Sequence, residues 1–266
     1  MAETASAPNE TSLAPKRVAL ITGATAGIGA EFARQLASLH YDLVLVARDR
    51  ERLEASAAQL ARQHGVSVEV LAADLLSAEG LAAVEKRAAD STHPITMLVN
   101  NAGFGLKNSF ERNSIADEQA HLDLLVAVPM RLTHAALGQM LAVHSGTIVN
   151  IASVAGFTPR GTYGAAKAWV LSFSRWANIY YRPRGVSVTA VAPGFVRTEF
   201  HQRMKVRTDT VPGFLWLTTE QLVRIALHDV ARGKAVSIPT IRYKLVVWLT
   251  SWLPNRVIAA GALRGR

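Results

Sequence analysis

From residue 17 onward, short apolar runs alternate with longer amphipathic stretches. Residues 17–22, 42–47, 67–71, 97–100, 147–151 and 186–191 are brief and rich in Val, Ile and Leu. Runs this apolar, with little polar alternation, predict strands buried on both faces. Between them, residues 52–64 and 78–89 place apolar side chains at helical spacing, as crossover helices require. Strands and helices taking turns along the chain predict a parallel sheet with helices on both sides, hence a single-domain, doubly wound α/β fold. No internal repeat and no linker interrupts the pattern.

The rhythm breaks over residues 195–235. There Phe200, Met204, Val206, Val211, Phe214, Leu215, Trp216 and Leu217 are interleaved with basic residues and a Pro-Gly pair. A lid over a substrate pocket fits this composition, and so does a surface loop packed on its own aromatics. Residues 1–15 are polar and lack an apolar stretch, which predicts a disordered tail and not a leader. The expected organisation is a tail over 1–15, a catalytic domain over 16–240 that includes the lid, and a basic, apolar extension over 241–266.

Composition narrows the chemistry. The 266 residues contain no cysteine, which excludes disulfides, thiolate catalysis and Cys-ligated metal, and suits a reducing, cytoplasmic setting. The eight histidines are scattered without ligand spacing, so no metal centre is expected. A net charge of +9 comes without a nucleic-acid motif. It favours a basic surface attracting phosphorylated cofactors and anionic carriers over nucleic-acid binding.

Tyr163-Gly-Ala-Ala-Lys167 places a phenol and an ammonium four residues apart, on one face of a helix. A cation at that distance is expected to favour the phenolate and bring its pKa towards neutrality. Upstream, Thr22-Gly23-Ala24-Thr25-Ala26-Gly27-Ile28-Gly29 follows the first strand and opens a helix. Glycines there permit a tight turn and close backbone approach, and the helix N-terminus presents free N–H groups to a pyrophosphate. The second strand ends in Val46-Ala47-Arg48. With no acid to hold a ribose 2′-hydroxyl and a guanidinium just beyond, it predicts NADP(H) over NAD(H) through Arg48. A helix-start arginine paired with Asp49 or Glu51 is the alternative.

Together with Asn100-Asn101-Ala102-Gly103 and Ser153, these signals resemble the short-chain dehydrogenase/reductase family, most nearly its bacterial ketoacyl- and hydroxysteroid-reductase-like members. The resemblance implies a Rossmann sheet and hydride transfer between NADP(H) and a hydrophobic ketone, aldehyde or secondary alcohol. It further implies that Ser153 hydrogen-bonds the carbonyl, Tyr163 transfers the proton, and Lys167 binds the nicotinamide ribose. Asp74 matches an aspartate near the adenine, while Asn101, Ala102 and Gly103 match a segment along the adenosine ribose. Pro193, Gly194, Val196 and Thr198 match the stretch that contacts the carboxamide.

Two departures set this chain apart. The family pattern D-x-N-V reads Asp123-Leu124-Leu125-Val126, so Leu125 stands where an asparagine usually anchors a water. Leucine neither donates nor accepts, and any relay there is lost or rerouted. The Ser153–Tyr163 interval is also short, with a trimmed loop over 158–161 that threatens the register of the pair. These features motivate the alternative of a catalytically weakened NADP(H)-binding sensor or interaction module. Trp169, Phe173, Trp176 and Tyr180 recur at helical spacing and require burial in the core or against another subunit. The family's habits favour a homodimer or homotetramer. Residues 243–253, apolar with basic flanks, are expected to extend that interface or touch an anionic membrane.

Overall fold

The computed structural model describes residues 16–198, 213–254 and 256. Seven parallel strands form one sheet in the order β3-β2-β1-β4-β5-β6-β7. They are β1 (Val18–Thr22), β2 (Asp42–Ala47), β3 (Val68–Ala72), β4 (Met97–Asn100), β5 (Gly146–Ile151), β6 (Val186–Val191) and β7 (Val236–Ser237). The first six lie within a residue of the predicted runs. β7 is two residues long, too short for a hydrophobic pattern to mark, and only its ladder with β6 defines it.

Helices cover both faces. On one, α1 (Gly27–Ser38), α2 (Arg50–His64) and α7 (Thr219–Ala231) bury Phe32, Leu36, Leu53 and Leu222 against Ala19, Ile21, Leu43 and Leu45. On the other, α3 (Ala78–Ala88), α5 (Val128–Ala142) and α6 (Gly161–Tyr181) bury Val84, Leu132, Ala136 and Ala177 against Leu20, Val44, Val46 and Leu98. Neighbouring residues of each strand serve opposite cores, which is why the strands read as unbroken apolar runs. α4 (Ile115–Leu122) continues through a π-helical turn, Asp123–Ala127, into α5. This continuous helix has the length and apolarity of a membrane span, yet it buries Leu132, Thr133 and Ala136 within the fold.

Of the segment expected as a lid, Thr219–Ala231 is a core helix packed on α1. Val196 bridges Leu217, so the two ends of the intervening stretch meet. Phe200, Met204, Val206 and Val211 lie outside the described residues, as does the tail over 1–15. Helix α8 (Ile241–Trp252) turns its Tyr243 inward and leaves Leu245, Trp248 and Trp252 exposed.

Candidate active site

The strand order reverses between β1 and β4, and parallel sheets of this kind open a crevice there at the carboxyl ends of the strands. The glycine turn occupies one side. Gly23 and Gly27 have φ of +67° and +56°, where side chains are strained. A Cβ on Gly29 would stand 2.3 Å from the Gly23 carbonyl and 2.4 Å from Asn101 Nδ2, so the approach admits only glycine. Gly23 N–H is held by the Val46 carbonyl at 2.8 Å. Asn101 donates through Nδ2 to the Thr22 and Gly23 carbonyls at 2.9 and 3.2 Å, and the Asn101 and Ala102 amides both donate to Thr22 Oγ1. The asparagine thus braces the turn. Ala26 caps α1 without a side-chain hydrogen bond, leaving Ile28 and Gly29 on an uncapped, positively polarised helix start. A narrow glycine cradle with open amides fits a dinucleotide pyrophosphate. Thr25 lies in that turn, half-buried.

Arg48 is exposed just past β2. Among the described residues it joins no ion pair; Asp49 instead accepts from Arg52 N–H as the N-cap of α2. The guanidinium therefore remains available to an anionic group. Asp74 is exposed past β3, where its Oδ1 accepts from Leu76 N–H at 3.0 Å.

The opposite wall belongs to β5, α6 and the segment after β6. Ser153 caps a 3-10 turn, Val154–Phe157, by accepting from Ala155 N–H at 3.1 Å. Val154 N–H donates to the Pro193 carbonyl, which ties the serine loop to the Pro193–Gly194 segment. Gly194 lies under the Tyr243 ring, whose hydroxyl accepts from Phe195 N–H at 2.9 Å and donates to Leu215 O at 2.8 Å. Thr198 reaches back until its Cβ and Cγ2 lie 3.3 Å from where a Gly27 Cβ would stand, closing the crevice between the two halves.

Tyr163 and Lys167 rise from the first turns of α6. The Ser153 hydroxyl hydrogen-bonds the Tyr163 phenol, so the short interval does not separate them. The tight loop is possible because Gly161 takes φ +60° and because Gly156 packs on the Lys167 backbone, where a Cβ would meet the carbonyl carbon at 2.7 Å. The expected effect of Lys167 on the phenol needs correcting. Burial pushes the Tyr163 pKa above its ordinary value, opposed by the Ser153 hydrogen bond and the charge of Arg160. Lys167 Nζ sits 5.8 Å from the phenol ring centroid and donates to the Ile151 carbonyl at 2.6 Å. Burial also draws Lys167 down to about 8. In the protein alone the tyrosine is a protonated acid.

Leu125 is buried, and its Cδ2 lies 2.9 Å from where a Gly103 Cβ would stand. It seals this part of the crevice with an apolar contact. One turn earlier stands a residue that sequence reasoning missed. His121 is buried with its ring 6.0 Å from the Tyr163 ring, and its Nε2 has no partner. Arg160, the N-cap of α6, was also missed. Both are set by tertiary contact. The only sequence signal was their polarity beside otherwise apolar or trimmed segments.

Comparison with known proteins agrees with this geometry. The profile of the short chain dehydrogenase family matches residues 17–208. A 3-oxoacyl-[acyl-carrier-protein] reductase from Aquifex aeolicus is 34% identical over 69% of this chain and 75% of its own. A very-long-chain 3-oxoacyl-CoA reductase from Anas platyrhynchos is 30% identical over 90% of this chain and 77% of its own. Among solved structures, a short-chain dehydrogenase from Sphingobium yanoikuyae in complex with NADPH superposes with a TM-score of 0.81 at 36% identity, covering 90% of this chain and 96% of that one. A bulky-bulky ketone specific alcohol dehydrogenase from Comamonas testosteroni gives 0.77 at 34%, covering 90% and 95%.

Proposed function

Because this chain belongs to the short-chain dehydrogenase/reductase family, we propose that it is an NADP(H)-dependent carbonyl reductase or alcohol dehydrogenase acting on ketones flanked by bulky apolar groups. The observation that carries this reading is the hydrogen bond between Ser153 and Tyr163, with Lys167 one turn further on the same helix face. When bound, the nicotinamide supplies or accepts the hydride. The chain's own residues do the rest. Ser153 turns its hydroxyl from the phenol to the carbonyl oxygen, and Tyr163 gives that oxygen its proton. Lys167 holds the ribose while anchored on Ile151. Gly23, Gly27 and Gly29 seat the pyrophosphate, and Arg48 faces the 2′-phosphate.

The apolar substrate preference rests on Leu125, on Phe195 and Trp216 with rings 5.6 Å apart, and on the likeness to the Comamonas enzyme. The aromatic stripe of α6 supports a homo-oligomer: Trp176 and Tyr180 stack at 5.6 Å yet are 52% and 55% exposed, so the monomer core does not cover them. The exposed apolar side of α8 would extend that contact, with membrane contact as the lesser alternative, in a cytoplasmic protein. The deciding experiment follows reduced-nicotinamide absorbance with a panel of ketones of increasing bulk. Turnover with NADPH, favouring bulky apolar ketones, is expected. Tight NADPH binding without turnover of any carbonyl would overturn this reading in favour of a sensor.

A further inference from the structure

Two polar atoms beside Tyr163 lack partners. His121 Nε2 and Glu118 Oε2 are both buried without a hydrogen bond, on α4 residues three apart. Leaving a buried carboxylate oxygen or imidazole nitrogen unpaired is costly, and such groups in a folded protein ordinarily serve a water or a ligand. The remainder of the pair is fixed. Glu118 Oε1 accepts from Asn113 Nδ2 at 2.8 Å, and the His121 ring lies edge-on to Phe104 at 5.4 Å. Glu118, His121 and Tyr163 line one cavity of about 40 Å³, closed further by Asn113 and Thr162. A water needs a cavity of roughly 10–15 Å³ and two or more polar partners, so this one has room for water beside the polar side chains that line it.

We propose that His121, backed by Glu118, returns the proton to Tyr163 through that water, in place of a relay through residue 125. The proposal rests on the reductase reading above. As the carbonyl carbon gains a hydride, its oxygen takes the Tyr163 proton. The phenolate takes a proton from the water, and the water takes one from Nε2 of the His121 imidazolium. The neutral imidazole regains a proton from solvent, and the Glu118 carboxylate holds the cation meanwhile. In the oxidation direction each transfer reverses. Leu125 shields the route, one helical turn further along.

The charges around His121 set the pH at which this works. Burial lowers its pKa, the Glu118 charge raises it, and the Lys167 ammonium from α6 lowers it, while a hydrogen bond to the Phe104 backbone raises it. Tyr163 faces it from the same helix as Lys167, in its neutral form. Reduction should therefore slow as pH rises through a midpoint below the usual histidine range, and Glu118→Gln should move that limb lower still.

The experiment combines pH–rate profiles of kcat/KM with nitrogen NMR titration of the His121 imidazole in the cofactor-free protein. His121→Phe is expected to lose about 10²-fold in kcat/KM, the low end for a proton-transfer group, at unchanged NADPH affinity. His121→Asn, which holds a water but cannot pass a proton on, should lose the pH limb, and free imidazole should restore part of the His121→Gly rate. By NMR, the His121 midpoint should fall in Glu118→Gln and shift by about half a unit in Tyr163→Phe. An unchanged profile in His121→Phe, or a His121 midpoint indifferent to both Glu118 and Tyr163, overturns the proposal. If wild type turns over no ketone, the reductase reading fails, and the NMR titration still decides whether His121 and Tyr163 are coupled.

Discussion

The two walls of the crevice are built by different means. The glycine turn with Asn101 is largely a backbone construction: its hydrogen bonds run between main-chain atoms, the Asn101 amide and the Thr22 hydroxyl, and its shape excludes even a methyl group at Gly29. The opposite wall is made of side chains at the start of α6 and along α4, and it leaves polar atoms at Glu118 and His121 unspent. A wall of backbone suits a ligand that never changes, whereas a wall of side chains can be retuned one residue at a time.

Four substitutions sharpen the contrast. Tyr163→Phe is expected to cut kcat/KM by about 10³-fold while NADPH affinity, read by nicotinamide fluorescence, stays as in wild type. If affinity falls as well, the two walls are not separable. Gly29→Ala forces a Cβ against backbone and should weaken NADPH binding by about 10²-fold, matching an overpacking strain of roughly 3 kcal/mol. Unaltered affinity in a titration would show that the turn can give way. Arg48→Ala should raise the KM for NADPH about tenfold and leave NADH unaffected, as loss of one charge-assisted contact predicts. Equal loss with both cofactors would place the guanidinium elsewhere.

The smallest effect concerns Lys167. Its folded pKa of about 8 lies below the ordinary 10.5, so above pH 8 the unfolded chain binds more protons than the folded one. Stability of the cofactor-free protein should therefore rise by about 1 kcal/mol between pH 8 and 9 on this account, a gain missing from Lys167→Met. Parallel urea curves for the two proteins across that interval would remove the basis for a buried, strained ammonium.

What could be read from the chain divides along the same line. The strands were legible because each face of the sheet is covered, which makes every position apolar. The glycine turn was legible because strained φ values demand glycine at fixed spacing. The Ser153–Tyr163 contact was obscured by a shortened loop, since nothing in the spacing shows that Gly156 lets that loop settle onto α6. His121 was missed because an isolated histidine on a helix carries no periodic signal. Its meaning arises only when α4 is laid beside α6. The phenol's titration was misjudged for a related reason: the four-residue spacing to Lys167 fixes the face shared by both groups, while burial and the Ile151 carbonyl decide what the ammonium does.

The Tyr243 ring occupies the space above Gly194, and its hydroxyl clamps Phe195 to Leu215, so this wall of the crevice is held by a residue of the later helix α8. A nascent chain emerging from the ribosome can complete the Phe195–Leu215 clamp only after translation has passed Tyr243. A chain that stopped before α8 would lack both Tyr243 hydrogen bonds and the ring that packs on Gly194.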